Sequence, residues 1–255
     1  MNSLKLVQNA QTSPLLTVIL AVKEASSKQL NPCLWAIAAL RNSKHINLLI
    51  VSSGTFPGVP DECPQYFHAV RIIDTPPNGV YSAYNRGLDE KLGEYVLFLG
   101  VDDLVLPGLD RVMEYVLSID DKPDFIPCFS IMQDVGLSGP SKIRGALIFR
   151  NWCHQGLLYG SKLFCNKRYD VKYKVQADHK FNLELMADKN HKVIYRDDVI
   201  THFASGGLTS TYPDLLFRAD MPTIVRNSYG VFFWLIALAK RKLADLIKGA
   251  PAHRD

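Results

Sequence analysis

Glu94-Tyr95-Val96-Leu97-Phe98-Leu99-Gly100-Val101-Asp102-Asp103-Leu104-Val105-Leu106 is the stretch that decides the fold. Residues 95–99 form an unbroken apolar run, too short for a stable helix, which is how a strand buried on both faces of a parallel sheet reads. Two carboxylates follow it directly. Burying Asp102 and Asp103 unpaired is costly, and open α/β sheets bind ligands beyond the carboxyl ends of their strands. A cation with an anionic ligand satisfies both facts.

Working outward, residues 15–22 read as a first buried strand, and Leu30, Leu34, Ile37 and Leu40 recur at helical spacing behind it. Residues 47–51 and 69–73 are further β-rich runs. Pro76-Pro77-Asn78-Gly79 is a turn signal, and Val80, Tyr84, Leu88 and Leu92 then repeat every four residues as a helix capped by Asn78. Pro107 opens another helix, with Leu109, Val112, Met113 and Val116 facing inward. Strands alternating with helices imply a doubly wound, mostly parallel α/β sheet. Past Asp120 the pattern changes to short β-like segments at 125–132, 143–149 and 155–159. A helix opens at Asp178 with Phe181, Leu185 and Met186 inward, and a strand is expected at 192–195.

The 255 residues, 47% hydrophobic and 21% charged, suffice for a substantial core and exclude a disordered chain. Lys and Arg are scattered and the net charge is only +4, so no nucleic-acid partner is indicated. The cysteines Cys33, Cys63, Cys128, Cys153 and Cys165 never form a Cys-x-x-Cys pair, which points to reduced thiols rather than a zinc site or disulfides. No secretory signal is read at the start, so a cytoplasmic location is expected. Residues 231–239 are apolar and run into Lys240-Arg241-Lys242. Nine residues are too few to span a bilayer, which leaves an amphipathic helix at a membrane surface, over 229–248, or a helix docked on the core.

Asn78-Gly79-Val80-Tyr81-Ser82-Ala83-Tyr84-Asn85-Arg86-Gly87 places a glycine turn at a helix start, where backbone N–H groups favour anions, and Arg86 one turn later offers a fork to a diphosphate. Followed by Gly93-Glu94-Tyr95 and the run ending in Asp102-Asp103, this segment resembles the family 2 glycosyltransferases of the GT-A fold. Their pattern of Asn-x-Gly before Gly-Glu-Tyr and a strand ending in Asp-Asp is matched here. Further matches are His154-Gln155, Tyr169-Asp170, Tyr173-Lys174-Val175, Ala177-Asp178 and Phe203 with Gly206-Gly207-Leu208-Thr209-Ser210, which look like the colanic-acid and O-antigen branch.

The resemblance implies a GT-A, Rossmann-like central sheet flanked by helices over 1–213, with a nucleotide-binding half at 14–120 and an acceptor half at 121–213. A C-terminal helical appendage follows at 214–255. It implies a nucleotide-diphosphate sugar donor contacted by Ser52, Asn78, Gly79, Tyr81, Asn85, Arg86 and Asp102. His154 and Gln155 would touch donor sugar, acceptor or diphosphate. Asp103, with Asp102, would hold Mn2+ or Mg2+, and Asp178 would be the base of an inverting transfer, although an Asp at a helix start is also an ordinary cap. His202 is a further metal or phosphate candidate. The expected acceptor is a bacterial surface glycan, lipid-linked, met at the inner face of the cytoplasmic membrane.

The chain departs from the family where Ser52-Ser53-Gly54-Thr55 replaces an acid after the second strand, where Ala21-Val22-Lys23-Glu24 ends the first, and where Gly100 replaces the first acid of Asp-x-Asp. Two alternatives therefore stand beside the transferase: a catalytically impaired relative serving as a binding subunit, and a sugar-phosphate nucleotidyltransferase.

Overall fold

The computed structural model describes residues 13–143, 145–203 and 213–249. Among the described residues there are ten strands and six α-helices, numbered in chain order. β1 (Leu16–Val22), β2 (Ile46–Ser52), β3 (Ala69–Asp74) and β4 (Tyr95–Gly100) run parallel, with β1 between β2 and β4. β9 (Leu157–Gly160) joins β4 antiparallel and β6 (Phe125–Pro127) closes that edge, giving the order β3-β2-β1-β4-β9-β6. A second sheet has the order β5-β10-β7-β8, from β5 (Leu104–Val105), β10 (Val199–Phe203), β7 (Phe129–Met132) and β8 (Gly136–Ser138).

The strand order reverses between β1 and β4, because the chain winds outward through β2 and β3 and then crosses back. That reversal opens a crevice at the carboxyl ends of β1 and β4. Asp102 and Asp103 sit there, in the short turn where the chain leaves the first sheet through β4 and enters the second through β5.

β4 is buried on both faces, as its apolar run requires. Leu97 and Leu99 face α1 (Ser27–Ala38) and α3 (Gly108–Leu117), while Val96 and Phe98 face the other layer. That other layer holds α2 (Val80–Leu88), α4 (Ala177–Ala187) and α5 (Leu215–Tyr229). Tyr84, Phe98, Tyr159, Phe164, Tyr169 and Phe181 form an aromatic cluster there, with Phe164 stacked on Phe181 at 5.1 Å. α5 and α6 (Val231–Gly249) belong to the same layer, since Phe217, Met221, Ile224, Val225 and Ala237 are buried in its core. The C-terminal helices thus pack on the core along one face.

Several local expectations need correction. The α2 cap is Gly79, not Asn78, because the chain enters the helix at φ 98°, a conformation glycine adopts without strain. α2 ends at Leu88, four residues before Leu92, and its buried stripe runs Tyr81, Tyr84 and Leu88. The described residues of the 143–149 run, 143 and 145–149, form no strand, only a 3-10 turn at Ala146–Ile148. Residues 192–195 run beside β6 but make a single bridge, Val193 to Phe125. Pro127 has no N–H to extend that ladder. The run 125–132 is split at Cys128, its halves going to different sheets.

Gly87 seats α2 against the sheet. A Cβ there would lie 2.7 Å from Ile19 Cγ2 and 3.2 Å from Val51 Cγ2. Gly87→Ala is expected to lower stability by about 1–3 kcal/mol in urea unfolding despite alanine's better helix propensity. An unchanged or higher midpoint would contradict this close packing.

Candidate functional site

Asp103 is only 3% exposed, whereas its neighbour Asp102 stands in solvent. The Gly100 N–H donates to Asp103 Oδ2 at 2.6 Å, and Gln155 Nε2 donates to the same oxygen at 3.2 Å. Burial nevertheless pushes the Asp103 carboxyl up to about 6, the Gly100 hydrogen bond opposing it and the Asp102 charge adding to it. Beneath, the Cys33 thiol points at the Gly100 carbonyl, and its own pKa is driven well up by burial and then by Asp103 and Asp102.

Both carboxylates curl over Gly100. A Cβ on that residue would lie 3.0 Å from Asp102 Oδ1 and 3.4 Å from Asp103 Oδ2. Among the described residues, no set of three or more His, Cys, Asp or Glu converges to hold a metal unaided. Two adjacent carboxylates, one of them raised by burial and like charge, do fit a Mg2+ or Mn2+ ion whose remaining ligands are waters and phosphate oxygens.

Asp178 lies in the first turn of α4 and is 4% exposed. It is not the helix cap, which is Gln176. Its Oδ1 accepts from Tyr81 Oη at 2.7 Å and from the His179 N–H at 2.8 Å. Its Oδ2 accepts from Asn151 Nδ2 at 2.8 Å and faces His154 Nδ1 at 3.3 Å. Burial alone would raise this carboxyl, but the His154 and Tyr81 interactions outweigh it and hold Asp178 below the usual range, as an anion. The buried Tyr84 hydroxyl, whose proton is held by burial and by the nearby carboxylates, lies 3.4 Å from His154 Nε2.

One turn joins the two acids. In the 3-10 turn His154–Gly156, before β9, His154 reaches Asp178 and the adjacent Gln155 reaches Asp103. The second sheet fixes this turn. Thr201 Oγ1 donates to the Gln155 carbonyl at 3.0 Å, the buried Ser130 and Thr201 hydroxyls meet at 2.8 Å, and Cys128 N–H donates to the Gly156 carbonyl. Gly156 admits no side chain, because a Cβ would stand 2.7 Å from Ser130 Oγ. The Cys153 thiol donates to Gln155 Oε1, which aims the amide nitrogen at Asp103.

The remaining candidates divide. Asn78 and Gly79 stand exposed at the start of α2, at the carboxyl end of β3. Ser52 ends β2, but it is 2% exposed and its hydroxyl donates to the Gly54 carbonyl. The Tyr81 hydroxyl donates to Asp178. Asn85 spends both ends of its amide on the Tyr169 backbone, at 2.8 and 2.9 Å. Arg86 is in the last turn of α2, paired with Glu90 at 2.8 Å, so helix direction carries it away from the anion-favouring end. His202 is on β10 opposite Leu104, next in sequence to Asp103. The motif 206–210 lies outside the described residues.

Sequence reasoning missed Asn151, Tyr84 and Asp74. Tyr84 lies inside the segment 78–87 already singled out, whereas Asn151 falls between the singled-out segments, and only the fold shows what either touches. Asp74 ends β3 exposed and in register with Ser52, so the carboxylate missing after β2 is present one strand over.

A carboxyl whose pKa rises on folding costs stability at any pH where it must ionise, and costs nothing below its unfolded-state value near 4. Asp103→Asn should therefore stabilise the ligand-free protein by about 1–3 kcal/mol at pH 7.5, with the gain shrinking through pH 6 and gone near pH 4. Thermal unfolding across that range checks it. A destabilised Asn variant at pH 7.5 would rule out a burial penalty at Asp103.

The chain is similar to known glycosyltransferases. Proteins named PGL/p-HBAD biosynthesis glycosyltransferase, from Mycobacterium bovis and Mycobacterium tuberculosis, are 31% identical over 154 residues, 58% of this chain and 60% of theirs. The match thus spans less than two thirds of those relatives. Among solved structures, S. aureus TarS 1-349 superposes with a TM-score of 0.66 at 12% identity, over 94% of this chain and 75% of that 1-349 chain. A mannosyltransferase of Pyrobaculum calidifontis, in complex with GDP-Man and Mn2+, superposes with a TM-score of 0.54 at 13% identity, over 98% of this chain and 83% of that one. These likenesses establish the GT-A fold. The model of Glycosyl transferase family 2 matches residues 17–146, just over half of the sequence, and with the paired acids at the crevice it leads to one conclusion: the chain belongs to glycosyl transferase family 2.

Proposed function

We propose that the chain moves a sugar from a nucleotide-diphosphate sugar to a hydroxyl of a lipid-linked bacterial surface glycan, by a single inverting displacement. The observation that carries this reading is the turn whose neighbouring side chains bind both buried acids, Gln155 on Asp103 and His154 on Asp178. Such a displacement needs an anion-binding end and a proton-accepting end facing one reacting carbon. The known complexes of similar fold, with UDP, UDP-GlcNAc and GDP-Man, support the donor class.

At the first end, the start of α2 at Gly79 presents backbone N–H groups to a diphosphate. Asp74 and the Ser52 loop border the nucleoside side. Asp102 and Asp103 are the residues that would hold Mg2+ or Mn2+, and that ion supplies charge neutralisation to the departing nucleoside diphosphate. At the second end, Asp178 carries the negative charge and His154, its side chain 19% exposed against 6%, is the member of the pair that an acceptor hydroxyl meets. The pair takes the proton as the hydroxyl oxygen attacks.

Among the described residues, no helix is long and apolar enough to cross a membrane. α6 instead turns Val231, Phe232 and Leu235 outward, each more than half exposed, with Arg241 and Lys242 in solvent one to two turns on. This face suits the headgroup region of an anionic leaflet, where a lipid-linked acceptor resides.

Asp178→Asn is expected to reduce turnover by at least 100-fold while leaving donor binding intact, the latter read as a thermal shift with UDP, GDP, CDP and dTDP sugars, each with and without manganese. Retained turnover would remove Asp178 from the chemistry, and no shift with any nucleotide would sink the transferase reading. Phe232→Glu with Leu235→Glu should abolish co-sedimentation with vesicles containing phosphatidylglycerol. Pelleting at the wild-type level would place membrane contact elsewhere.

A further inference from the structure

A cavity of about 370 Å3 lies between α4, α5 and α6, beyond Asp178 from the crevice at β4. Its apolar wall includes Phe149, Phe217, Met221 and Ala237. Asn151 and His179 form its inner end, and both also donate to Asp178, Asn151 through its side chain and His179 through its backbone N–H. A molecule lodged here is therefore one residue away from the proposed proton acceptor.

The charges on the lining are all of one sign. Arg218, Lys240 and Arg241 line the cavity, and no carboxylate does. Lys240 is half-buried, and burial lowers its pKa. Among the described residues its ammonium meets only the carbonyls of Ile148 and Phe149 and the Phe149 ring, and Arg241 meets the Ala219 carbonyl, with no ion pair at either. A half-buried ammonium on an apolar wall, without an anion, is a costly arrangement that an anionic ligand relieves. The volume is that of a small-ligand site, and its mixture of apolar wall with a few polar groups is the usual composition of one. Phe217 packs against the His179 ring, tilted by 35° with centroids 4.9 Å apart, so the apolar wall and the Asp178 end form one continuous surface.

We propose that this cavity binds the apolar, phosphate-bearing portion of the acceptor, with its chain against Phe217 and Met221 and its phosphate between Lys240 and Arg241. The assignment to the acceptor rests on the glycosyl-transfer reading, whereas binding of an anionic amphiphile does not.

The test uses dodecyl phosphate below its micelle concentration, with dodecanol as the neutral control, titrated into the full chain by tryptophan fluorescence and checked by thermal shift. Dodecyl phosphate is expected to bind at least tenfold more tightly than dodecanol. Lys240→Gln with Arg241→Gln should erase that preference, and Met221→Trp should block both compounds. Ala237→Leu is a smaller intrusion on the same wall, and circular dichroism confirms that each variant is folded. Equal binding of the two compounds, or undiminished binding in both the Met221 and Ala237 variants, overturns the proposal. Donor-induced thermal shifts of the unaltered chain separate the two readings. Failure of dodecyl phosphate to bind the unaltered chain, with donor shifts present, refutes the cavity alone. Absent donor shifts with amphiphile binding preserved refute the transferase reading and leave the cavity standing as an anion-selective amphiphile site.

Discussion

Two carboxylates buried at one end of a sheet are the constraint to which the surrounding structure answers. Each needs donors or a cation, and a single turn reaches both, through His154 to Asp178 and Gln155 to Asp103. The two are served differently. Asp178 is surrounded by Tyr81, His179, Asn151 and His154 and stays ionised. Asp103 has two donors and a like charge beside it, and its pKa rises instead. One acid is satisfied by protein and the other is left in need of a positive partner.

This division explains the use of two sheets. The six-stranded sheet brings Asp102 and Asp103 to the point where the strand order reverses. The small sheet, through Thr201 and Ser130, holds the Gln155 backbone at the height of Asp103. α2 starts at Gly79 beside the end of β3 and sends its Tyr81 hydroxyl to Asp178. Seating that helix on β1 through Gly87 therefore positions both parts of the proposed site at once.

Family membership and the GT-A fold were legible because they rest on local order: an apolar strand followed by two acids, a glycine turn before a helix, and a fixed succession of short motifs. The four parallel strands, and the inward residues Leu109, Val112, Met113 and Val116 of α3, follow from periodicity alone. Segments whose hydrogen bonds are non-local were misread. Residues 192–195 have strand composition, but their neighbour β6 contains Pro127 and offers an incomplete ladder. Residues 143–149 are apolar enough for a strand, yet they turn about Gly145 at φ 82°.

By itself, the sequence determined which residues carry charge at the end of β4 and at the start of α4, because strands and helices are short-range structures whose ends are marked by composition. Only the tertiary structure decided how those residues are used. It paired Arg86 with Glu90, committed Asn85 to the Tyr169 backbone, and set the Tyr81 hydroxyl against Asp178. It also closed a cationic, apolar-walled cavity behind Asp178 from helices far apart in the chain. Hydrogen-bond partners within about 3 Å are set by three-dimensional placement, and no linear spacing encodes them. The two acids at the end of β4, first visible as a problem of burial, were given their separate environments by a turn that follows them by some fifty residues.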